Sequence, residues 1–256
     1  ISLKSIPSGL FDNCQNATGF YSCFSGCASL TEIPSGLFDK CPNVTDFSNC
    51  FKSCISLKSI PSGLFNKCPN VTDFSDCFYG CSGLTEIPSG LFDNCQKVTS
   101  FYSCFYGCSG LTEIPSGLFD NCQKVTSFYS CFYSCISLKS IPSGLFDNCQ
   151  NATNFDECFY GCRSLTAGFI PFAALLKANY RYIYKSCSML TKLIANSETP
   201  VSINDSIPDN SGLKIYVPDS AIETYKTATN WNAFADNIVG FSELTDEEKN
   251  KYGITA

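Results

Sequence analysis

Residues Ile87–Glu113 read IPSGLFDNCQKVTSFYSCFYGCSGLTE. Their apolar positions step mostly by three: Phe92, Cys95, Val98, Phe101 and Cys104, then Phe105, Cys108, Leu111 and, across the boundary, Ile114. Such a spacing drifts off the face of a helix with 3.6 residues per turn, and it flips sides on a strand of period two. It fits a coil of short pieces joined by bends, with every third side chain turned inward.

The stretch is one period of a longer pattern. IPSGLF starts at Ile6, Ile33, Ile60, Ile87, Ile114 and Ile141, always 27 residues apart. Eighteen of the 19 cysteines fall into three columns with the same period, headed by Cys14, Cys23 and Cys27, and only Cys187 stands outside them. A fixed period in this range, with Leu, Ile and Cys at set places, reads as a leucine-rich-repeat solenoid in which each coil buries its apolar side against its neighbours. The expected architecture is α/β, with short parallel strands, short helical turns and a small α+β cap at the C-terminal end.

Local signals fill in the coil. Phe101, Cys104, Phe105 and Cys108 stand at i, i+3, i+4 and i+7, which predicts a helical turn or two over FYSCFYGC. GLTEIP is expected to be a short strand ended by Pro115, and KVTSF a second strand on the opposite wall. Residues 1–164 hold six repeats. Residues 165–190 keep the Leu, Ile-Pro and Cys landmarks and read as a degenerate last repeat with a more helical middle. Residues 191–256 are not repetitive and read as a capping segment. There LKIYVP predicts a strand, and DSAIETYKTATN a helix opened by Asp219 or Ser220 with Glu223 closing a capping box. LTDEEKNKYG predicts another, from Thr245 with Glu248 to Gly253.

Composition narrows the function classes. The chain of 256 residues is 44% hydrophobic and carries a net charge of −6. It lacks the Lys/Arg surplus of a nucleic-acid binder, and no apolar run approaches the ~20 residues of a membrane span. Residues 1–18 recur letter for letter at 136–153, where they begin in mid-repeat, so the sequence is expected to start part-way through an array. Residues 84–106 and 111–133 are identical, which suggests recent duplication and a variable copy number.

With these residues in view, VTSFYSCFYGCSGLTEIPSGLF (Val98–Phe119) resembles the BspA-like leucine-rich-repeat surface proteins. Val98, Thr99, Phe101, Cys104, Phe105, Cys108, Leu111 and Ile114 fill that family's pattern in order, and LKIYVPDSAIETYKTATNWNAFADNI resembles the segment that closes such arrays in Bacteroides proteins. The resemblance implies a cell-surface or secreted recognition protein with adhesin-like function.

The cysteines admit several uses. Zinc takes four thiolate or imidazole ligands, commonly in Cys-x-x-Cys pairs; here the spacing is Cys-x-x-x-Cys and histidine is absent. A catalytic thiol needs an activating base or cation, and a six-fold copied cysteine is not a unique nucleophile. Disulfides between successive coils are the serious rival, because coils ~4.8 Å apart lie within bridging range. Against them, side chains stacked in register point in parallel, and pairing would break the equivalence of the coils. The favoured reading is reduced thiols packed between phenylalanines, small beside large.

If the invariant columns face inward, the varying positions face out. Tyr79, Tyr106, Tyr133 and Tyr160 form one tyrosine column, preceded by Ser25 and Lys52, and Tyr21, Tyr102 and Tyr129 fall in another. Glu86 and Glu113 mark an outward column of mixed charge. Exposed tyrosines one coil apart make a rigid contact strip of a kind favoured at protein interfaces, or one on which sugars could stack. The alternative is that the rings only lean over coil edges. The Asp column headed by Asp12 suits turn capping better than calcium. Asn16, Asn43, Asn70 and Asn151 stand in N-x-T triplets, the pattern of glycosylation acceptors. Without histidine, Ser-His and Cys-His catalysis is excluded, and no Gly-rich phosphate cradle occurs. The expectation is a non-enzymatic chain with no cofactor and no metal, binding a protein or glycan on a host or neighbouring cell. The alternative is a spacer that displays a module outside this sequence.

Overall fold

The computed structural model describes residues 3–170, 177–203, 205–208 and 212–254. The repeats are stacked coils, numbered here 1 to 6 from the Ile-Pro that opens each. The stack continues into a seventh lap, where Asn179 bridges to Asn154 and the rings of Tyr180 and Tyr184 lie over Phe155 and Phe159.

The step of three has a simple cause. In coil 4 the N–H of Cys95 donates to the carbonyl of Phe92, Val98 to Cys95, Cys104 to Phe101, Cys108 to Phe105 and Leu111 to Cys108, at 2.9–3.3 Å. Each inward residue thus closes one β-turn or opens the next, and the residues between them are tips pointing outward.

The expected helical turn over FYSCFYGC is not formed. Ser103 and Gly107 take φ of 49° and 68°, in the left-handed region that the third residue of a type II turn requires. Phe101, Ser103, Phe105 and Gly107 send their N–H groups to the next coil, onto the carbonyls of Ser127, Tyr129, Cys131 and Tyr133. Those donors are therefore spent between coils, and two turns in tandem reproduce the i, i+3, i+4, i+7 spacing without a helix.

The two expected strands shrink to isolated points of pairing in the coils. KVTSF makes one parallel bridge per coil, Ser100 to Asp73 and Ser127. GLTEIP forms no strand and donates to the previous coil only near its start, from the N–H of Gly110 to the carbonyl of Ser82 (3.1 Å) and from the N–H of Thr112 to the carbonyl of Thr85 (3.3 Å). The helical middle expected within 165–190 falls largely on 171–176, outside the described residues.

Side chains tie the coils at their edges. Thr45, Thr72, Thr99, Thr126 and Thr153 each donate to the carbonyl of the Thr one coil earlier. Asn43, Asn70 and Asn151 donate to the backbone carbonyls of Gln15, Pro42 and Gln123 at 2.8–3.0 Å. The recurrence of N-x-T is thereby accounted for by hydrogen bonds between coils. In the Asp column, a Cβ on Gly90 (φ 72°) would lie 3.0 Å from the Asp93 carboxylate, so the turn needs glycine twice over.

The interior is phenyl rings and thiols. Phe51, Phe78, Phe105 and Phe132 stack at 5.5–5.6 Å, and every cysteine from Cys41 onward is buried. All 19 cysteines are free thiols. Those of the third column also donate: Cys54, Cys81, Cys108, Cys135 and Cys162 point Sγ at the carbonyls of Phe24, Phe51, Phe78, Phe105 and Phe132, at 3.1–3.3 Å. That carbonyl already accepts the N–H that closes its own turn, so the thiol fills its second lone pair.

From Ala167 onward true strands appear. Strands β1 (Ala167–Ile170), β2 (Lys192–Ala195), β3 (Lys214–Val217) and β4 (Ile238–Gly240) form a parallel sheet in that order. One face continues the main core through Leu193, Ile215 and Ile238. On the other, Ile194, Tyr216, Phe241, Leu244 and Tyr252 make a second cluster. Helix α1 (Ile222–Thr227) follows a short 3-10 turn at Asp219–Ala221 and has no side-chain cap. The expected box there is replaced by longer-range bonds, from the Ser242 N–H to Asp219 and from the Ser220 hydroxyl to Glu198. Helix α2 (Asp246–Lys251) does carry the box, with the Thr245 hydroxyl and Glu248 carboxylate each accepting the other's backbone N–H, and Gly253 follows at φ 66°. Trp231 is fully buried, donates Nε1–H to the carbonyl of Val201 at 2.8 Å, and meets Tyr225 edge-on at 4.7 Å.

Candidate functional site

The tandem turns project a ridge of side chains, and their tips carry the tyrosines. Position 106 is the second residue of a turn, so its side chain is turned away from the core that Phe105 and Cys108 enter. Tyr79, Tyr106, Tyr133 and Tyr160 occupy this place in coils 3 to 6, half-buried, with neighbouring ring centroids 4.5, 4.4 and 4.6 Å apart and planes within 6° of parallel. Tyr102 and Tyr129 form a second stacked pair at 5.1 Å, Tyr102 being 44% exposed.

This stacking changes what the strip can offer. The ring faces are turned toward one another, and Lys52 Nζ lies over Tyr79 at 4.4 Å. What the column presents outward is ring edges and hydroxyls, and the faces between neighbouring rings are already covered. Burial, then the neighbouring phenols, pushes the Tyr106 phenol up to about 12. Tyr133 is raised by burial, then by Tyr160 and Glu157, and Tyr129 by burial, then by Glu157. Tyr106, Tyr129 and Tyr133 are therefore neutral phenols at physiological pH.

Charged residues frame it, and sequence reading passed over most of them. Lys52 pairs with Asp76 at 3.2 Å. Glu157 accepts from the Ser130 hydroxyl at 3.2 Å. Beyond Tyr160, Lys185 takes the next place in the column, and its Nζ lies 4.7 Å from the ring centroid of Tyr182, which Arg181 also covers. Period-aligned columns contain most of these residues, since Asp76 and Glu157 share a column with Ser103, and Lys52 shares one with Tyr106, whereas Lys185 follows Tyr160 by only 25 residues. Glu86 and Glu113 are exposed but join neither ring column; among the described residues no ion pair or hydrogen bond links them to a tyrosine.

The thiols deep in the stack are poor nucleophiles. Burial raises Cys54, Cys95 and Cys108 to about 12, and Cys77, Cys104 and Cys131 are also driven well up by burial first. Among the described residues no group of three or more Cys, Asp or Glu side chains could hold a metal ion, and no helix is long and apolar enough to cross a membrane.

Turn-built coils stacked over a continuous apolar interior, with parallel strands on one wall, define a leucine-rich-repeat solenoid. The family model of the BspA type leucine rich repeat region matches residues 1–235 in six copies, and the chain belongs to that family. Among solved structures it is similar to a leucine-rich repeat protein from Bacteroides ovatus, with 19% identity over 86% of this chain and 68% of that one, at a TM-score of 0.36. It is also similar to a leucine rich cell surface protein from Faecalibacterium prausnitzii, with 16% identity over 99% and 86% of the two chains, at a TM-score of 0.18. Membership rests on the family match, to which these superpositions add nothing. No curated protein matches the chain.

Proposed function

We propose that the chain is a non-enzymatic recognition or adhesion solenoid of the cell surface, or a secreted one, and that it binds its partner through the tyrosine ridge. The observation that carries this reading is the stack of four half-exposed tyrosines on successive coils, held rigid by ring stacking. A contact surface ordered before binding loses little side-chain entropy when it docks, and tyrosine supplies much area with few rotatable bonds. Repetition along a stiff array allows several weak contacts to act together. Membership of this family favours placement outside the cell.

The test is a binding screen against intact cells, extracellular-matrix proteins and a glycan array, with the chain and its Tyr106→Ala/Tyr133→Ala variant. Loss of at least tenfold in apparent affinity, with an unchanged melting profile, is expected. Binding that survives the double substitution would move the contact surface elsewhere. An absence of any ligand would favour a spacer.

A further inference from the structure

The ridge has a direction. A lysine, Lys52, stands at coil 2, and two acids, Asp156 and Glu157, stand at coil 6, with tyrosines between them. Its ring faces are closed, which disfavours any ligand that binds by stacking a flat ring. Its contact points recur once per coil, at 4.4–4.6 Å between rings. An extended peptide repeats same-side residues every ~6.7 Å and so falls out of step within two coils. A second ladder with the same coil spacing stays in step along the whole ridge.

We propose that the partner of the ridge is a second copy of this chain, lying antiparallel across it with Tyr106 opposite Tyr106. Charge selects this register. A two-fold axis through coil 4 brings Lys52 of one copy over coil 6 of the other, where Asp156 and Glu157 sit, and symmetry makes the contact twice. Lys52 already holds its own Asp76, but an ammonium has three donors and can serve both acids. The same register sets Arg181 against Tyr21, which is 66% exposed. Parallel pairing instead lays Asp76 and Glu157 against their own copies, and a one-coil shift of the antiparallel arrangement either faces Lys52 with Arg181 and Lys185 or leaves Lys52 and the two acids opposite uncharged positions. Antiparallel pairing is the arrangement that copies reaching out from two facing surfaces would adopt. The proposal rests on reading the ridge as the contact surface, and it names the partner.

Sedimentation equilibrium in reducing buffer, which keeps the exposed Cys23 from cross-linking, tests it. The chain should self-associate reversibly. Lys52→Glu alone and Glu157→Lys alone should each weaken association about tenfold or more. A mixture of the two variants should associate again, because each opposed pair then has opposite signs. This mixing arm also shows that both variants are folded. A chain that stays monomeric at its highest soluble concentration, or association indifferent to both reversals, overturns self-pairing. If the monomeric chain still loses a foreign ligand on Tyr106→Ala/Tyr133→Ala, the ridge remains the contact surface and only its partner was misassigned.

Discussion

Coils 2 to 6 and the sheet from Ala167 to Gly240 join successive laps in different ways. The coils are held by turn-to-turn bonds, threonine and asparagine ladders, and thiols aimed at carbonyls. The sheet is held by strands three or four residues long, and its interior contains Trp231 and Tyr225 where the coils have cysteine. The switch coincides with a small change in sequence. In coil 5 Leu138 stands three residues before the Ile-Pro step, whereas Leu165 stands five before it, in LTAGFIP. A turn ends at the Leu and proline forbids a ladder bond after it, so the gap between them sets strand length. With two more residues the chain can pair as β1. The lesson is that the coils are turn structures by necessity: leucine and proline leave them no room to be anything else.

Alkali should separate the two regions most. Folding raises the thiols, so the coils' stability is fully present below the ordinary thiol value of ~8.5 and is lost as pH climbs through their folded values near 12. Eighteen thiols lie in coils 1 to 6 and one, Cys187, beyond them. Circular dichroism of the whole chain should therefore fail at lower pH than the fluorescence of Trp231, the single tryptophan. Folded thiols that ionise in the ordinary range would break the contrast.

Next in size is truncation of a ring. Phe105→Ala removes a fully buried side chain from a continuous stack and should cost about 3–5 kcal/mol in urea unfolding. Phe234→Ala, in the partly buried rim of the C-terminal region, should cost about 1–2 kcal/mol. Equal losses would mean that the coils pack no more tightly than the region that follows them.

The smallest effect has the opposite sign. Ser134 sits at φ 54°, where coils 3, 4 and 6 have Gly80, Gly107 and Gly161. Relief of left-handed strain, less the entropy glycine loses on folding, leaves a gain of about 0.5–1 kcal/mol for Ser134→Gly. A fall in the urea midpoint would show that this turn is not under strain.

The period, the inward columns and the buried thiols were all legible in the letters, because a solenoid writes one coil's environment over and over. What misled was the i, i+3, i+4, i+7 spacing of Phe101, Cys104, Phe105 and Cys108, which a helix and two tandem turns share. The deciding signal lies in the third place of each turn, where Ser, Asn, Asp and Gly recur down the columns of Ser103 and Gly107. The tyrosine columns could be read from the period as well. Their face-to-face closure could not, since it depends on ring orientation and on Lys52 folding over Tyr79. Nor could the fate of Asp219, whose partner Ser242 lies far along the chain.

The N–H groups of Phe101, Ser103, Phe105 and Gly107 all point along the stack toward the next coil. Tension between the two ends of the array would therefore load the bonds of each junction side by side, while the junctions themselves stand in series. A molecule built this way yields one lap at a time, paying out slack at the weakest junction while the remaining laps keep their shape and their grip.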